Sequence, residues 1–215
     1  MTVTMLGATA TLLPEGKVLI AGGDDLARCE NDPNHCFGPP DTPPGTAELY
    51  DPVTGTFSAA SSSQSEYGHA STLLPDGTVM LSGGLIEGVG VLATAEIYHP
   101  AVPIPSPVLY SVPGSGQGAI LHGSTQQLVS FDNPAVAGEA IEIFASGLID
   151  GAVIPPRVAI GGRSAEVLYF GAAPGYRALN QINVRVPSGI APGSSVPVRL
   201  DYLSRPSNEV TLAVQ

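Results

Sequence analysis

The chain has no tryptophan, a single lysine (Lys17), only two cysteines and no long apolar run. Each shortage excludes something. One lysine and seven arginines form no polybasic cluster of the kind that holds a protein on an anionic membrane surface. No segment reaches the ~18 apolar residues of a membrane-spanning helix, and no long window repeats its apolar residues with a helical period. The opening residues, Met1-Thr-Val-Thr-Met-Leu-Gly7, have no basic region ahead of an apolar core and do not read as a signal peptide. What the chain has in quantity is 26 glycines and 21 prolines among short apolar runs, the punctuation of an all-β chain. At 215 residues and 43% hydrophobic it can bury the core of one large domain or two small ones.

Charge is also short on one side. Of the net −11, residues 1–106 carry −10, with 12 acidic residues against Lys17 and Arg28, and residues 107–215 carry −1. An acidic first half repels a phosphate backbone, so nucleic acid is not an expected partner.

One stretch occurs twice. Gly7-Ala-Thr-Ala-Thr-Leu-Leu-Pro-Glu-Gly-Lys-Val-Leu-Ile-Ala-Gly-Gly23 is echoed 61 residues on by Gly68-His-Ala-Ser-Thr-Leu-Leu-Pro-Asp-Gly-Thr-Val-Met-Leu-Ser-Gly-Gly84. Each copy reads as strand, tight turn, strand and glycine pair. Proline pre-sets φ in the turn, and glycine is free to take a positive one. A second echo follows, Thr46-Ala-Glu-Leu-Tyr-Asp-Pro52 and Thr94-Ala-Glu-Ile-Tyr-His-Pro100. A fourth strand is expected from Phe57 in the first copy only. After Tyr98 the second copy runs into His99-Pro-Ala-Val-Pro-Ile-Pro-Ser-Pro107, an extended linker by composition. This order resembles the kelch repeat, in which each repeat of about 50 residues forms one four-stranded propeller blade. The resemblance implies about two blades over residues 1–106, although the tryptophan usual near Phe57 is missing. Closed propellers need at least about four blades. The chain is therefore expected to be the C-terminal end of a larger secreted propeller protein, or else to self-associate.

The first copy carries an insertion within residues 24–45. Asp24, Asp25, Glu30 and Asp32 offer oxygen ligands for calcium, but without EF-hand spacing, and a solvated acidic loop is the simpler reading. Cys29 and Cys36 lie in the same loop and are expected to form a local disulfide, which implies an oxidising compartment. A zinc site would need two further ligands, and only His35 is near. A secreted or cell-surface location is expected from the disulfide, against an N-terminus without a signal peptide.

From residue 107 short alternating runs recur near 119–121, 126–131, 140–145, 157–160, 165–170, 180–186, 195–201 and 209–214, a spacing that suits an immunoglobulin-like β-sandwich. Gly116-Gln-Gly-Ala-Ile120, Gly138-Glu-Ala-Ile-Glu-Ile-Phe144, Val158-Ala-Ile-Gly-Gly-Arg163, Asn180-Gln-Ile-Asn-Val-Arg-Val-Pro187 and Ser207-Asn-Glu-Val-Thr211 together resemble an uncharacterised C-terminal domain of exported acidobacterial proteins. That domain is similar to the IPT/TIG-type immunoglobulin-like modules. The resemblance covers residues 107–215 and brings no catalytic residue. Asn180, Gln181 and Asn183 are expected to bond backbone at strand ends, with a polar ligand-binding patch as the alternative.

Signatures of chemistry are sparse. His35, His69, His99 and His122 are scattered, with no His-Glu-x-x-His or Gly-x-Ser-x-Gly pattern. Galactose-oxidase-like copper enzymes also join a kelch propeller to an immunoglobulin-like domain, and there a Tyr-His pair precedes a Leu-Leu-Pro-Asp-Gly turn. Here Gly68 separates Tyr67 from His69, and copper needs a second histidine and another tyrosine. Copper is thus disfavoured, and His69 reads as a packing residue. The expected function is a non-catalytic binding, adhesion or structural tail that recognises a protein or glycan. The alternative is the remnant of a copper or glycan-active propeller enzyme whose catalytic blades are elsewhere.

Overall fold

The computed structural model describes residues 7–23, 46–61, 67–86, 90–101, 105–149 and 151–215. Its regular elements are all β-strands; no helix occurs among the described residues, and so none long and apolar enough to cross a membrane. The chain forms two compact units, Met1–Val102 and Pro103–Gln215, the division falling in the proline-rich segment.

In the first unit, β1 (Thr9–Leu12), β2 (Val18–Ala21), β3 (Thr46–Asp51) and β4 (Thr56–Ser61) pair antiparallel in sequence order. The second copy builds the same hairpin from β5 (Ala70–Leu73) and β6 (Val79–Ser82), to which β9 (Ala95–Tyr98) pairs as β3 does to β2. A short hairpin, β7 (Leu85–Ile86) and β8 (Gly90–Val91), lies between β6 and β9. The echo in sequence is an echo in backbone. The Leu13 N–H donates to the Lys17 carbonyl at 2.8 Å and that of Leu74 to Thr78 at 2.8 Å. Gly16 and Gly77 close these turns at φ of 86° and 87°, a conformation that any L-side chain would strain. Phe57 meets Tyr50 across the β3–β4 pair with ring centroids 4.9 Å apart.

The two sheets bury a shared cluster of Leu13, Leu19, Ala21, Ala47, Val79, Leu81 and Tyr98. Sheet one turns Leu19 and Ala21 towards that cluster and sheet two turns Val79 and Leu81, as the alternate burial of β2 and β6 requires.

The second unit is one nine-stranded antiparallel sheet. Its strands are β10 (Val108–Leu109), β11 (Ile120–His122), β12 (Ala140–Ser146), β13 (Arg157–Ile160), β14 (Arg163–Ala172), β15 (Asn180–Arg185), β16 (Gly193–Tyr202), β17 (Arg205–Pro206) and β18 (Val210–Val214). The path runs β10-β12-β15-β14-β13-β16-β17, with β11 also on β12 and β18 also on β16. Parallel bridges Gln117↔Thr211 and Ala135↔Val214 then join β18 to the loops around β11, so the sheet curls until it nearly closes on itself. Inside lie Ile141, Ile143, Ile160, Ile182, Leu200 and Leu212, each at most 1% exposed.

A bulge and a close chain crossing mark the sheet. The register of β14 against β15 shifts between Val167 and Tyr169. This bulge keeps Phe170 packed on the core while strengthening the twist. Gly147, at φ 89°, crosses the chain so closely that a Cβ would lie 2.7 Å from the Ser106 carbonyl oxygen. The run 126–131 does not form a strand. Gln126 is left-handed at φ 58°, and the chain makes only the bridges Leu121↔Leu128 and Ser130↔Asn133 there.

Candidate binding surface

Period two along β15 separates the three polar residues singled out in the sequence. Asn180 lies on the core face with Ile182 and Val184 and is 4% exposed; its Oδ1 accepts the Leu148 N–H at 3.1 Å. It bonds backbone, as expected, and is turned away from the other two. Gln181 and Asn183 share the outer face, where Gln181 Nε2 donates to Asn183 Oδ1 at 2.9 Å.

Cross-strand register builds a surface around this amide pair. Asn183 lies between Glu142 on β12 and Tyr169 on β14, and Gln181 between Phe144 and Gly171. Tyr169 is 41% exposed. Its hydroxyl donates to the Ala172 carbonyl at 2.8 Å, which draws the ring over Gly171. Glu142 Oε1 accepts from Gln126 Nε2 at 3.0 Å. The face thus offers two aromatic rings, Tyr169 and Phe144, two amides held by each other and a carboxylate, all on neighbouring strands.

Beyond Arg185, at the end of β15, lies an open depression of about 700 Å³ whose walls include Gly138, Arg163, Ser164, Glu166 and Pro187. Its guanidinium groups already have partners. Arg185 Nε donates to Glu166 Oε2 at 3.0 Å and its Nη1 to the Gly138 carbonyl at 2.9 Å, while Arg163 Nε donates to the Gly189 carbonyl at 2.9 Å.

A buried network beneath the 128–139 segment escapes sequence reading. His122, 6% exposed, hydrogen-bonds Glu139 Oε1 through Nδ1, and its Nε2–H donates to the Asn133 carbonyl at 3.1 Å. Glu139 Oε2 in turn accepts the Val136 N–H at 3.0 Å. The imidazole therefore ties both ends of the 133–139 segment, two residues beyond Phe131, which is 75% exposed. The only signal in the sequence is an isolated histidine at the end of an apolar run.

His69 is similarly occupied. It is 6% exposed, and Nε2 shares a hydrogen bond of 2.7 Å with Thr9 Oγ1 of the first sheet. Beside it Thr11 and Ser71 join their hydroxyls. Tyr98, in the same core, has its phenol pushed above the usual value by burial and by the nearby Glu15 carboxylate.

Asp24, Asp25, Glu30, Asp32, Cys29 and Cys36 lie outside the described residues. Among the described residues no three His, Cys, Asp or Glu side chains gather in a cation-sized group.

A scan against protein-family models gives no match for this chain, and a search of curated proteins gives none either.

Proposed function

We propose that the chain is a non-catalytic recognition part of an exported bacterial protein: about two kelch-type blades followed by an immunoglobulin-like sandwich, secreted or displayed at the cell surface. The Gln181–Asn183 pair beside Tyr169 carries the recognition reading. Amides held by a hydrogen bond to each other offer donors and acceptors together, and a half-exposed ring adds an apolar face with a polar edge. Sugar hydroxyls and peptide backbone are the ligands that need both. The histidines support the non-catalytic reading, since His69 and His122 are committed to Thr9, Glu139 and Asn133.

The test is retention on an immobilised panel of neutral polysaccharides. Expected is binding of the intact chain to at least one of them, reduced at least tenfold by Tyr169→Ala and by the double change Gln181→Ala, Asn183→Ala, with unfolding of the second unit little altered. Equal retention by the intact chain and both variants contradicts this surface. Stoichiometric copper in the purified protein, lost on His69→Ala, contradicts the non-catalytic reading.

A further inference from the structure

The outward row of β15 does not end at the amide pair. Gln181, Asn183 and Arg185 alternate with the buried Ile182 and Val184, so they form one line about 13 Å long. At its far end this line enters the depression of about 700 Å³ that Arg185 shares with Arg163. The row therefore changes character along its length, from neutral amides beside Tyr169 to a pair of guanidinium groups.

The partners of those two groups take only part of what they offer. A guanidinium carries five N–H donors in a fixed fork. Arg163 uses Nε on the Gly189 carbonyl and keeps both terminal amines, while Arg185 uses Nε and Nη1 and keeps Nη2. None of these remaining amines has an acceptor among the described residues. Each fork is anchored to a backbone carbonyl, and Gly189 has no side chain to displace Arg163: a Cβ there would lie 3.3 Å from its Cζ. Donors already fixed in place bind an anion with little reorganisation.

Glu166 shows which anion fits. Its carboxylate accepts from Arg185 Nε at 3.0 Å, yet its side chain is 65% exposed, and an exposed ion pair of this kind contributes little. Two arginines against one glutamate leave the depression one positive charge in excess, in a chain whose net charge is −11.

We propose that the ligand of this face is an acidic glycan, a chain of uronic acid units. One carboxylate sits in the depression against Arg163 and Arg185, and the neighbouring units lie over Asn183, Gln181 and Tyr169. The terminal amines of Arg163 grip the planar carboxylate through two parallel bonds, and Arg185 adds one from Nη2. Glu166 is then a like charge beside the ligand and weakens its binding. This inference rests on reading the outer face as a glycan-binding surface, and adds the charge of the sugar to that reading. Attraction by the chain as a whole plays no part, because a net −11 repels a polyanion.

The experiment measures binding of the full chain to immobilised polygalacturonate and alginate, each beside its esterified form, which keeps the sugar and linkage but lacks the charge. A chelator is present throughout, so that no divalent cation bridges polymer to the acidic residues of the first unit. Expected is at least tenfold tighter binding to one acid polymer than to its ester. That preference should vanish in the double variant Arg163→Gln, Arg185→Gln. It should grow in Glu166→Gln, which a merely structural role for the Arg185–Glu166 pair would not produce. Tyr169→Ala should weaken binding to acid and ester alike, and circular dichroism checks the fold of each variant. The inference is overturned by equal binding to acid and ester in both pairs. It is also overturned by a preference that survives the double arginine variant or falls in Glu166→Gln. Binding that still depends on Tyr169 would then leave the surface itself standing, whereas binding indifferent to Tyr169→Ala overturns the surface and the inference with it.

Discussion

The two units solve the problem of sheet edges and faces differently. In the second, β18 reaches back to the loops at Gln117 and Ala135 and nearly closes the sheet around 22 buried apolar residues among those described. In the first, two stacked sheets share seven among the described residues, and Ala10, Leu12, Ala70 and Thr72 on the sides turned away from that core are exposed. A curled sheet completes its own core, whereas a stack of repeats completes a core only between neighbours, so its terminal faces need something to cover them. The outer face of the second unit, whose core is completed within one sheet, is left to carry the Gln181–Asn183 pair and Tyr169.

The sharpest way to separate the two is to open a cavity in each. Ile182→Ala, at a position with no exposure, should destabilise the second unit by about 2–5 kcal/mol. Its unfolding midpoint in denaturant should fall while that of the first unit holds; a shift of both would mean that the two cores unfold as one. Next in size is the His122 network. His122→Ala leaves the Glu139 carboxylate without its partner and should cost about 1–3 kcal/mol. Pairing it with Glu139→Gln in a double-mutant cycle should show coupling of about 0.5–3 kcal/mol; additive costs would remove the network from the description.

Inside the first unit the comparison is between repeats. Gly16→Ala and Gly77→Ala should each cost about 1–2 kcal/mol, because both glycines sit in the left-handed region. Unequal costs in urea unfolding would break the equivalence of the two turns. The smallest effect is titration of Tyr98. Its phenol is raised above 10.0 by burial and by Glu15, so the unfolded chain ionises first. Stability of the first unit is then unaffected below pH 10 and falls as the pH rises past it. Tyr98→Phe should remove that alkaline component, followed by circular dichroism against pH.

Much of this was legible in the residues. The turns at Gly16 and Gly77 follow from Pro-Glu-Gly and Pro-Asp-Gly, and the strand positions of the second unit follow from period-two runs such as Ile141, Ile143 and Ala145. Asn180 was legible too: the alternation that buries Ile182 and Val184 puts Asn180 with them and Gln181 with Asn183. The near closure was not, because it is made by backbone groups of irregular segments, the Gly118 N–H to the Thr211 carbonyl at 2.7 Å and the Ala135 N–H to the Ala213 carbonyl at 2.9 Å. No side-chain pattern marks such bonds. The run 126–131 alternates like a strand but is bent by the left-handed Gln126, a residue type with no special claim to that conformation.

Residue-resolved hydrogen exchange tests the central contrast most directly. The amides of Ile182 and Leu212 should share one high opening free energy. That of Val79, in the smaller core of the first unit, should be lower and should open separately. A single opening free energy common to Val79, Ile182 and Leu212 would contradict the separate cores.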